Sequence, residues 1–203
     1  MLFMLKQYSA IWQKRLYLAC GLYGVSWLLG IIITLTFAPR QVIQQLLINP
    51  SQAQDAWYYI SHNIGVESVL LLGAFTFGVG TGLILCMNGL LDGILATAIA
   101  RHYGLSVLLA GLLPHGLFEA CAWILISTCS FLLSNRFKHI ISSLWNNKGI
   151  NTPDKIKGTI SIKNLKDIYF SLIITSTLLL VLAGIIEAYV SPMLLRALIN
   201  ATR

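Results

Sequence analysis

Long uninterrupted apolar stretches constrain this chain more than any other feature of its sequence. Residues 64–101 and 103–134 are almost entirely apolar. Each stretch is longer than a membrane-spanning helix, which needs about 20 residues. Residues 16–37 and 168–190 are two further apolar stretches, each with the length of a single span. Only 10% of the 203 residues are charged, against about 25% in soluble domains. The pattern predicts an all-α, polytopic membrane helix bundle.

The two longest stretches have to be divided, and turn residues indicate where. Asn88-Gly89 is a turn dipeptide, and Pro114 with Gly116 removes a backbone donor and loosens the helix around it. The second break is interpreted as a kink in one span, with a re-entrant pair of half-helices as the alternative. The transmembrane domain, residues 16–192, is therefore predicted to hold about five spans, at residues 16–37, 64–87, 89–101, 104–134 and 168–190.

The segments outside the spans carry most of the basic residues. Residues 1–15 mix apolar and polar side chains in the way of an amphipathic helix on the cytoplasmic surface, and the loop 135–167 is rich in lysine. Because positively charged loops stay in the cytoplasm, both are predicted to be cytoplasmic, with the short tail 193–203 outside. The excess of 14 Lys and Arg over 7 Asp and Glu is thus explained by a membrane, and no nucleic-acid partner is predicted.

Several polar side chains lie inside the apolar stretches, where an ionisable group costs roughly 2.5–3.5 kcal/mol. They are predicted to meet in one buried polar cluster drawn from three segments. Residues four positions apart share a helix face, which pairs Asn88 with Asp92 and His115 with Glu119; Glu187 comes from the last span. Glu67, near the start of a span, is expected at the membrane interface instead.

A second set of residues is predicted to break helices or to let them pack closely. Glycines at small-xxx-small spacing allow two helices to approach, and prolines interrupt the hydrogen-bond ladder. Ser191-Pro192 is predicted to end the last span. The set consists of Gly78, Gly82, Gly89, Gly93, Pro114, Gly116 and Pro192.

The polar cluster fits either a structural or a chemical role. As a hydrogen-bonded plug it would fix the register of the helices; as a site it would serve catalysis, a metal ion, a polar substrate or a proton path. The sequence contains no HExxH, GxSxG or paired-aspartate motif, so no catalytic residue, metal or cofactor is assigned. In an enzyme, His115, Glu119 and Glu187 would carry the acid–base chemistry.

Three stretches, "FGVGTGLILCMNGLLDGILATA", "LLPHGLFEACAWIL" and "GIIEAYVSP", resemble in order and spacing the stage II sporulation protein M family of integral membrane proteins. The resemblance covers roughly residues 62–192. It implies a bundle of about five helices in a prokaryotic cell (inner) membrane. The family positions fall on Asn88, Gly89, Gly93, Pro114, His115, Gly116, Glu119, Glu187 and Pro192.

The resemblance also bears on function. The founding member is a membrane scaffold that acts with a peptidoglycan hydrolase and a second membrane-anchored partner, and some relatives occur beside ABC transporters. The segment "ACAW" after Glu119, the loop 38–63 and the basic loop depart from the family pattern and leave the partner undetermined.

These observations favour a non-enzymatic membrane scaffold or accessory subunit of a larger complex. Its partners would be the lipid bilayer and other membrane proteins, such as transporter subunits or cell-wall enzymes, and a homo-oligomer is compatible with the sequence. One alternative is a component of an ABC-type or peptide-export transporter, since broken helices with converging carboxylates build transporter sites. The other is an intramembrane hydrolase or cyclase that uses the buried His/Glu cluster.

Overall fold

The computed structural model describes residues 2–37, 55–145 and 162–201, and these are almost entirely helical. Two short segments, a 3-10 turn at Gly73–Thr76 and a π-helical segment at Ile186–Val190, interrupt the series of α-helices. No strand occurs in the described residues, and the prediction of an all-α bundle is confirmed. The helices are α1 (Leu2–Phe37), α2 (Ala56–Leu72), α3 (Val79–Tyr103), α4 (Leu105–Gly111), α5 (Leu113–Trp145), α6 (Ile162–Ile185) and α7 (Ser191–Ala201).

Four helical segments in the described part of the chain are long and apolar enough to cross a membrane. They are Trp12–Phe37, Val79–Tyr103, Leu113–Ser143 and Lys166–Leu198. Helix α2 has 17 residues and is shorter than these, but it packs inside the bundle against α5 and α6. Where about five spans were predicted, four helices of the described residues have the length and composition of a span, and α2 is shorter.

Helices α1 and α3 run parallel to each other in the most extensive contact of the bundle. The contact begins where the side chain of Leu22 on α1 lies near Gly82 on α3. It ends where Arg101 Nη1 on α3 donates to the backbone oxygen of Thr34 on α1 at 2.8 Å. Between these points the two backbones are in direct contact, as shown by Gly30, where an added Cβ would overlap the carbonyl of Leu90. Glycine is therefore what permits this approach.

The other long helices alternate in direction. Helix α2 runs parallel to α5 and antiparallel to α6, since Ile60 lies against Gly184 while Glu67, further along, contacts Ser176. Helix α5 runs antiparallel to α3, with Thr81 bonded to Ser130 near the start of α3. The beginning of α1, the turn between α2 and α3 and the end of α5 consequently share one end of the bundle.

The predicted helix break at Asn88-Gly89 is wrong, because α3 continues through both residues. Gly89 serves packing: a Cβ on it would lie 2.6 Å from the carbonyl oxygen of Tyr23 on α1. Gly93 is used in the same way against Trp27. The predicted spans 64–87 and 89–101 are replaced accordingly by α2 and α3.

The break lies about a dozen residues earlier, where α2 gives way to α3. Phe77 has a φ of 56° and Gly78 a φ of 88°, so two successive residues adopt the left-handed conformation. The Thr81 hydroxyl donates to the carbonyl of Leu70 at 3.1 Å and closes the turn. Gly78 was expected to pack or break a helix, and it is the turn residue; only glycine adopts this conformation without cost.

The break expected around Pro114 and Gly116 is present just upstream of them. Helix α4 ends at Gly111 and α5 begins at Leu113, so Pro114 lies in the first turn of α5, where its missing N–H is not needed. Gly116 lies within α5, and its backbone N–H donates to the carbonyl of Leu112 at 2.9 Å. Only Leu112 separates α4 from α5, and the two helices do not form a re-entrant pair.

Two predicted boundaries are also wrong. Helix α1 is continuous from Leu2, so residues 1–15 do not form a separate surface helix within the described chain. Pro192 does not end the last helix, because the π-helical segment precedes it and Pro192 occupies the first turn of α7. Most of the predicted outer loop 38–63 and the middle of the basic loop lie outside the described residues, whereas the predicted tail begins within α7.

The glycine contact between α1 and α3 predicts a stability loss in Gly30→Ala. The added methyl group would overlap the backbone of α3, and overpacking of this kind costs about 1–3 kcal/mol. Unfolding free energies would be measured by SDS titration in mixed micelles with circular dichroism. Gly21→Ala on the same helix is the control, since no atom lies within 4 Å of its Cβ. Equal stability of the two variants would contradict close packing of α1 on α3.

Candidate functional site

The first polar contact of the bundle interior joins α1 to α3. The Tyr23 hydroxyl donates to Asp92 Oδ2 at 2.5 Å, close to the middle of both helices. The glycine contacts on either side bring the two helix backbones together and so place the phenol within reach of the carboxyl group. A charge-assisted hydrogen bond in a low-dielectric interior is stronger than a neutral one in water.

The second contact joins α2 to α5. Asn63 is 4% exposed, and its Nδ2 donates to Glu119 Oε1 at 2.6 Å. Asp92 and Glu119 line the same cavity, so the two contacts lie side by side in the bundle. Four helices therefore meet around this pair of carboxyl groups.

The third contact joins the start of α5 to the C-terminal part of the bundle. Buried His115 shares a hydrogen bond of 3.1 Å between its Nδ1 and Ser191 Oγ, and its Nε2 lies 4.0 Å from Glu187 Oε1. Glu187 belongs to the π-helical segment, in which the extra residue per turn rotates the following side chains. His115 lies one helical turn before Glu119 on α5, which places this contact beside the previous one.

Glu67, which was expected at the membrane interface, is buried inside the bundle. Only 5% of the residue is exposed, and its carboxyl group accepts hydrogen bonds from the hydroxyl groups of Ser176 and Thr177 on α6. Hydroxyl donors on the facing helix stabilise this carboxyl group inside the bundle. The contact joins α2 to α6.

The structure brings four of the five predicted cluster residues together and leaves one apart. Asp92, His115, Glu119 and Glu187 are connected as described, whereas Asn88 joins none of these contacts and its Nδ2 has no partner among the described residues.

Sequence reasoning missed the partners of the cluster. Tyr23 is an ordinary member of a predicted span, Ser191 was expected only to end the last span, and Asn63 falls in the predicted outer loop 38–63. Only the rule that a buried carboxyl group needs a donor could have pointed to them. That rule gives no pairing until helix directions are known.

The arrangement can do two things chemically. Its hydrogen bonds fix the register of α1 on α3, of α2 on α5 and α6, and of α5 on α7. The carboxyl groups Asp92 and Glu119 can in addition bind a cation or exchange a proton. Among the described residues no three His, Cys, Asp or Glu side chains come together in a way that could hold a metal ion.

Comparison with known proteins agrees with this architecture. A sequence model described as stage II sporulation protein M matches residues 19–192, which is most of the chain and includes all of the polar contacts above. The chain belongs to the stage II sporulation protein M family. It is also 29% identical over 134 residues to an uncharacterized protein of Methanocaldococcus jannaschii, covering 66% of this chain and 68% of that relative. No solved structure matches the chain.

The positions that carried the resemblance to the stage II sporulation protein M family have distinct uses in this member. Gly89 and Gly93 are contact points for α1, while His115, Glu119 and Glu187 belong to the connected polar group. The family-like motifs thus coincide with the places where helices are held together.

A double-mutant cycle on Asn63→Ala and Glu119→Ala tests the contact between α2 and α5. A hydrogen bond between membrane helices contributes about 0.6 kcal/mol on average and up to about 1.7 kcal/mol, and the short bond at a carboxyl group should lie near the upper value. The cycle is read from unfolding free energies in mixed micelles. Ser68→Ala with Glu119→Ala is the control cycle, because Ser68 bonds only within α2. A coupling no larger than in the control would refute the bond.

Proposed function

We propose that this protein is an integral membrane scaffold or accessory subunit of a larger membrane complex. The proposal rests on the buried carboxyl groups, which join one helix to another. Each of the carboxyl groups Glu67, Asp92 and Glu119 is bonded to a side chain of another helix. A bundle fixed at so many helix pairs is suited to holding partners in a defined geometry.

The surface of the bundle supports the same proposal. Large apolar side chains are exposed on the outer faces of the long helices, as in Val25 and Ile32 of α1 and Leu83 of α3. Within a membrane such faces contact either lipid or the helices of other proteins. Membership of the stage II sporulation protein M family adds support, since the resemblance implies a scaffold role for its founding member.

The orientation we propose follows from charge. The start of α1 and the end of α5 lie at the same end of the bundle, and both border basic sequence. By the positive-inside rule this end faces the cytoplasm, and the end at which α3 passes into α4 faces outward. The host membrane is then the cell membrane of a prokaryote.

Cysteine labelling tests this orientation. Trp145→Cys and Tyr103→Cys would be placed singly in a chain whose four cysteines are replaced, both at well-exposed positions. A membrane-impermeant maleimide should label position 103 in intact cells and position 145 only after permeabilisation, because the two lie at opposite ends of the bundle. The reverse pattern would overturn the orientation without affecting the fold.

Affinity capture from the native host tests the scaffold role. The tagged protein would be purified in mild detergent and its companions identified by mass spectrometry, beside a His115→Ala/Glu119→Ala variant. We expect membrane transporter subunits or cell-wall enzymes with the wild type and their loss with the variant, because the polar contacts hold the presenting helices in place. Leu83→Ala, at a position 63% exposed, is the control for any loss caused by a change in apolar surface.

Two results would contradict the proposal. Recovery of the wild-type protein alone, under conditions that preserve a known membrane complex of the same host, would remove its basis. Turnover of a substrate by the isolated, pure protein with a requirement for His115 would replace it by an enzymatic function.

A further inference from the structure

A cavity of about 290 Å³ opens between α1, α3, α4 and α5. Leu113 and Leu117 on its wall are 53% and 61% exposed, so it opens on the apolar outer surface of the bundle. Its volume lies near the lower end of the range of about 300–1,000 Å³ found for ligand sites. The wall is largely apolar, and all of it except α4 belongs to helices long enough to span a membrane.

One part of the wall is polar and acidic. Tyr23, Asp92 and Glu119 line the cavity together, and no lysine or arginine of the described residues does. Asp92 uses Oδ2 for the bond from Tyr23, and Glu119 uses Oε1 for the bond from Asn63. Within the described chain the second oxygen of each carboxyl group accepts no hydrogen bond, so each has an oxygen available to an occupant of the cavity.

We propose that this cavity receives a lysine or arginine side chain carried near the middle of a transmembrane helix of a partner protein. The inference rests on the proposed scaffold function and names the chemistry of one contact. Two carboxyl groups that interact in a low-dielectric space repel each other when ionised, and a cation between them removes that repulsion. Acidic residues inside membrane segments pair in this way with basic ones.

The depth of the carboxyl groups argues for a helix-borne cation. Asp92 lies near the middle of the 25-residue α3, and its partner Tyr23 lies near the middle of Trp12–Phe37. A lipid amine stays at the headgroup level, whereas a lysine in the middle of a spanning helix is fixed at the depth of Asp92. A spanning helix that carries such a lysine also needs an acidic partner to offset the cost of inserting it.

The shape of the opening fits a helix as well. Gly24 on α1 and Gly116 on α5 line the cavity, together with Ala96 and Ala120. Small residues at such positions let the backbone of a neighbouring helix come close, so that one long side chain can reach inward.

The partner is a different chain. In the described part of this protein, the basic residues of the four candidate spans lie towards the ends of those spans, at Lys14, Arg15, Arg101, Arg136, Lys138, Lys166 and Arg196. None could bring a cation to mid-membrane in a second copy of the bundle.

Model transmembrane peptides test the proposal directly. The full-length protein in phosphatidylcholine vesicles would carry a donor dye, and a 24-residue Leu/Ala peptide with a single central lysine would carry the acceptor. We expect saturable energy transfer for the central-lysine peptide, and binding weaker by about tenfold or more for peptides with a central glutamine or a terminal lysine.

Two sets of variants locate the binding. Asp92→Asn/Glu119→Gln removes the charge but keeps acceptor oxygens for Tyr23 and Asn63, and it should weaken binding by about tenfold or more. Gly24→Leu should fill the cavity, because its Cβ has no neighbour within 4 Å, and should abolish saturable binding. Gly21→Leu on the same helix has equal room but lies outside the cavity, and it should bind like the wild type.

Two results would overturn the proposal. Equal energy transfer from all three peptides would show only association in the bilayer, and unchanged binding in folded Gly24→Leu would place the contact elsewhere. If Gly24→Leu captures every host partner that the wild type captures, the scaffold function stands and only this site is contradicted. If the wild-type protein captures no host partner but still binds the central-lysine peptide, the scaffold function is contradicted and this site stands.

Discussion

The close backbone contact between α1 and α3 is the interaction on which the rest of the structure depends. Gly30, Gly89 and Gly93 remove the side chains that would otherwise separate the two helices. Without a hydrophobic driving force between helices in lipid, such packing is a main source of association. It also determines which polar groups can meet, because it is what brings Tyr23 within 2.5 Å of Asp92.

The polar contacts extend from this pair through the bundle. Asp92 and Glu119 interact, Asn63 binds Glu119 from α2, and His115 on the same helix as Glu119 reaches Ser191 and Glu187. An unsatisfied polar group in hydrocarbon costs several kcal/mol, so each pairing also excludes helix registers that would leave a carboxyl group alone. Polar contacts therefore help to specify the register of the helices, beside the close packing of α1 on α3.

The sequence predicted the helical class and most of the buried polar group because both follow from local rules. Apolar length marks spans, and spacing of four residues puts His115 and Glu119 on one face. The Asn88-Gly89 turn was wrong because glycine has two uses, and only the position of α1 decides between turning the chain and packing against it. The turn at Gly78 lay in the same stretch, but it had no proline or asparagine to distinguish it from the packing glycines.

Partners at long range in sequence were beyond these rules. Glu67 meets Ser176 across more than half of the chain, and that pairing requires α2 to run antiparallel to α6. The direction of each helix depends on how many times the chain has reversed before it. One misplaced turn therefore changes the predicted contacts of every later helix. Asn63 was assigned to a loop because the stretch 38–63 is polar, although it is one of the buried donors of the bundle.

Fold and assembly are connected by the two oxygens of each carboxyl group. Asp92 and Glu119 each give one oxygen to a bond within the bundle, which holds the group in a defined position, and both residues line the cavity. A cation bound there attracts α3 and α5 at the same time, so binding of a partner stabilises the helix arrangement that created the site. A bundle that satisfied all four oxygens internally would be more stable alone but would have nothing charged to offer a partner. Under the proposed docking, the acidic cavity is the place where a second chain would add to the stability of the bundle.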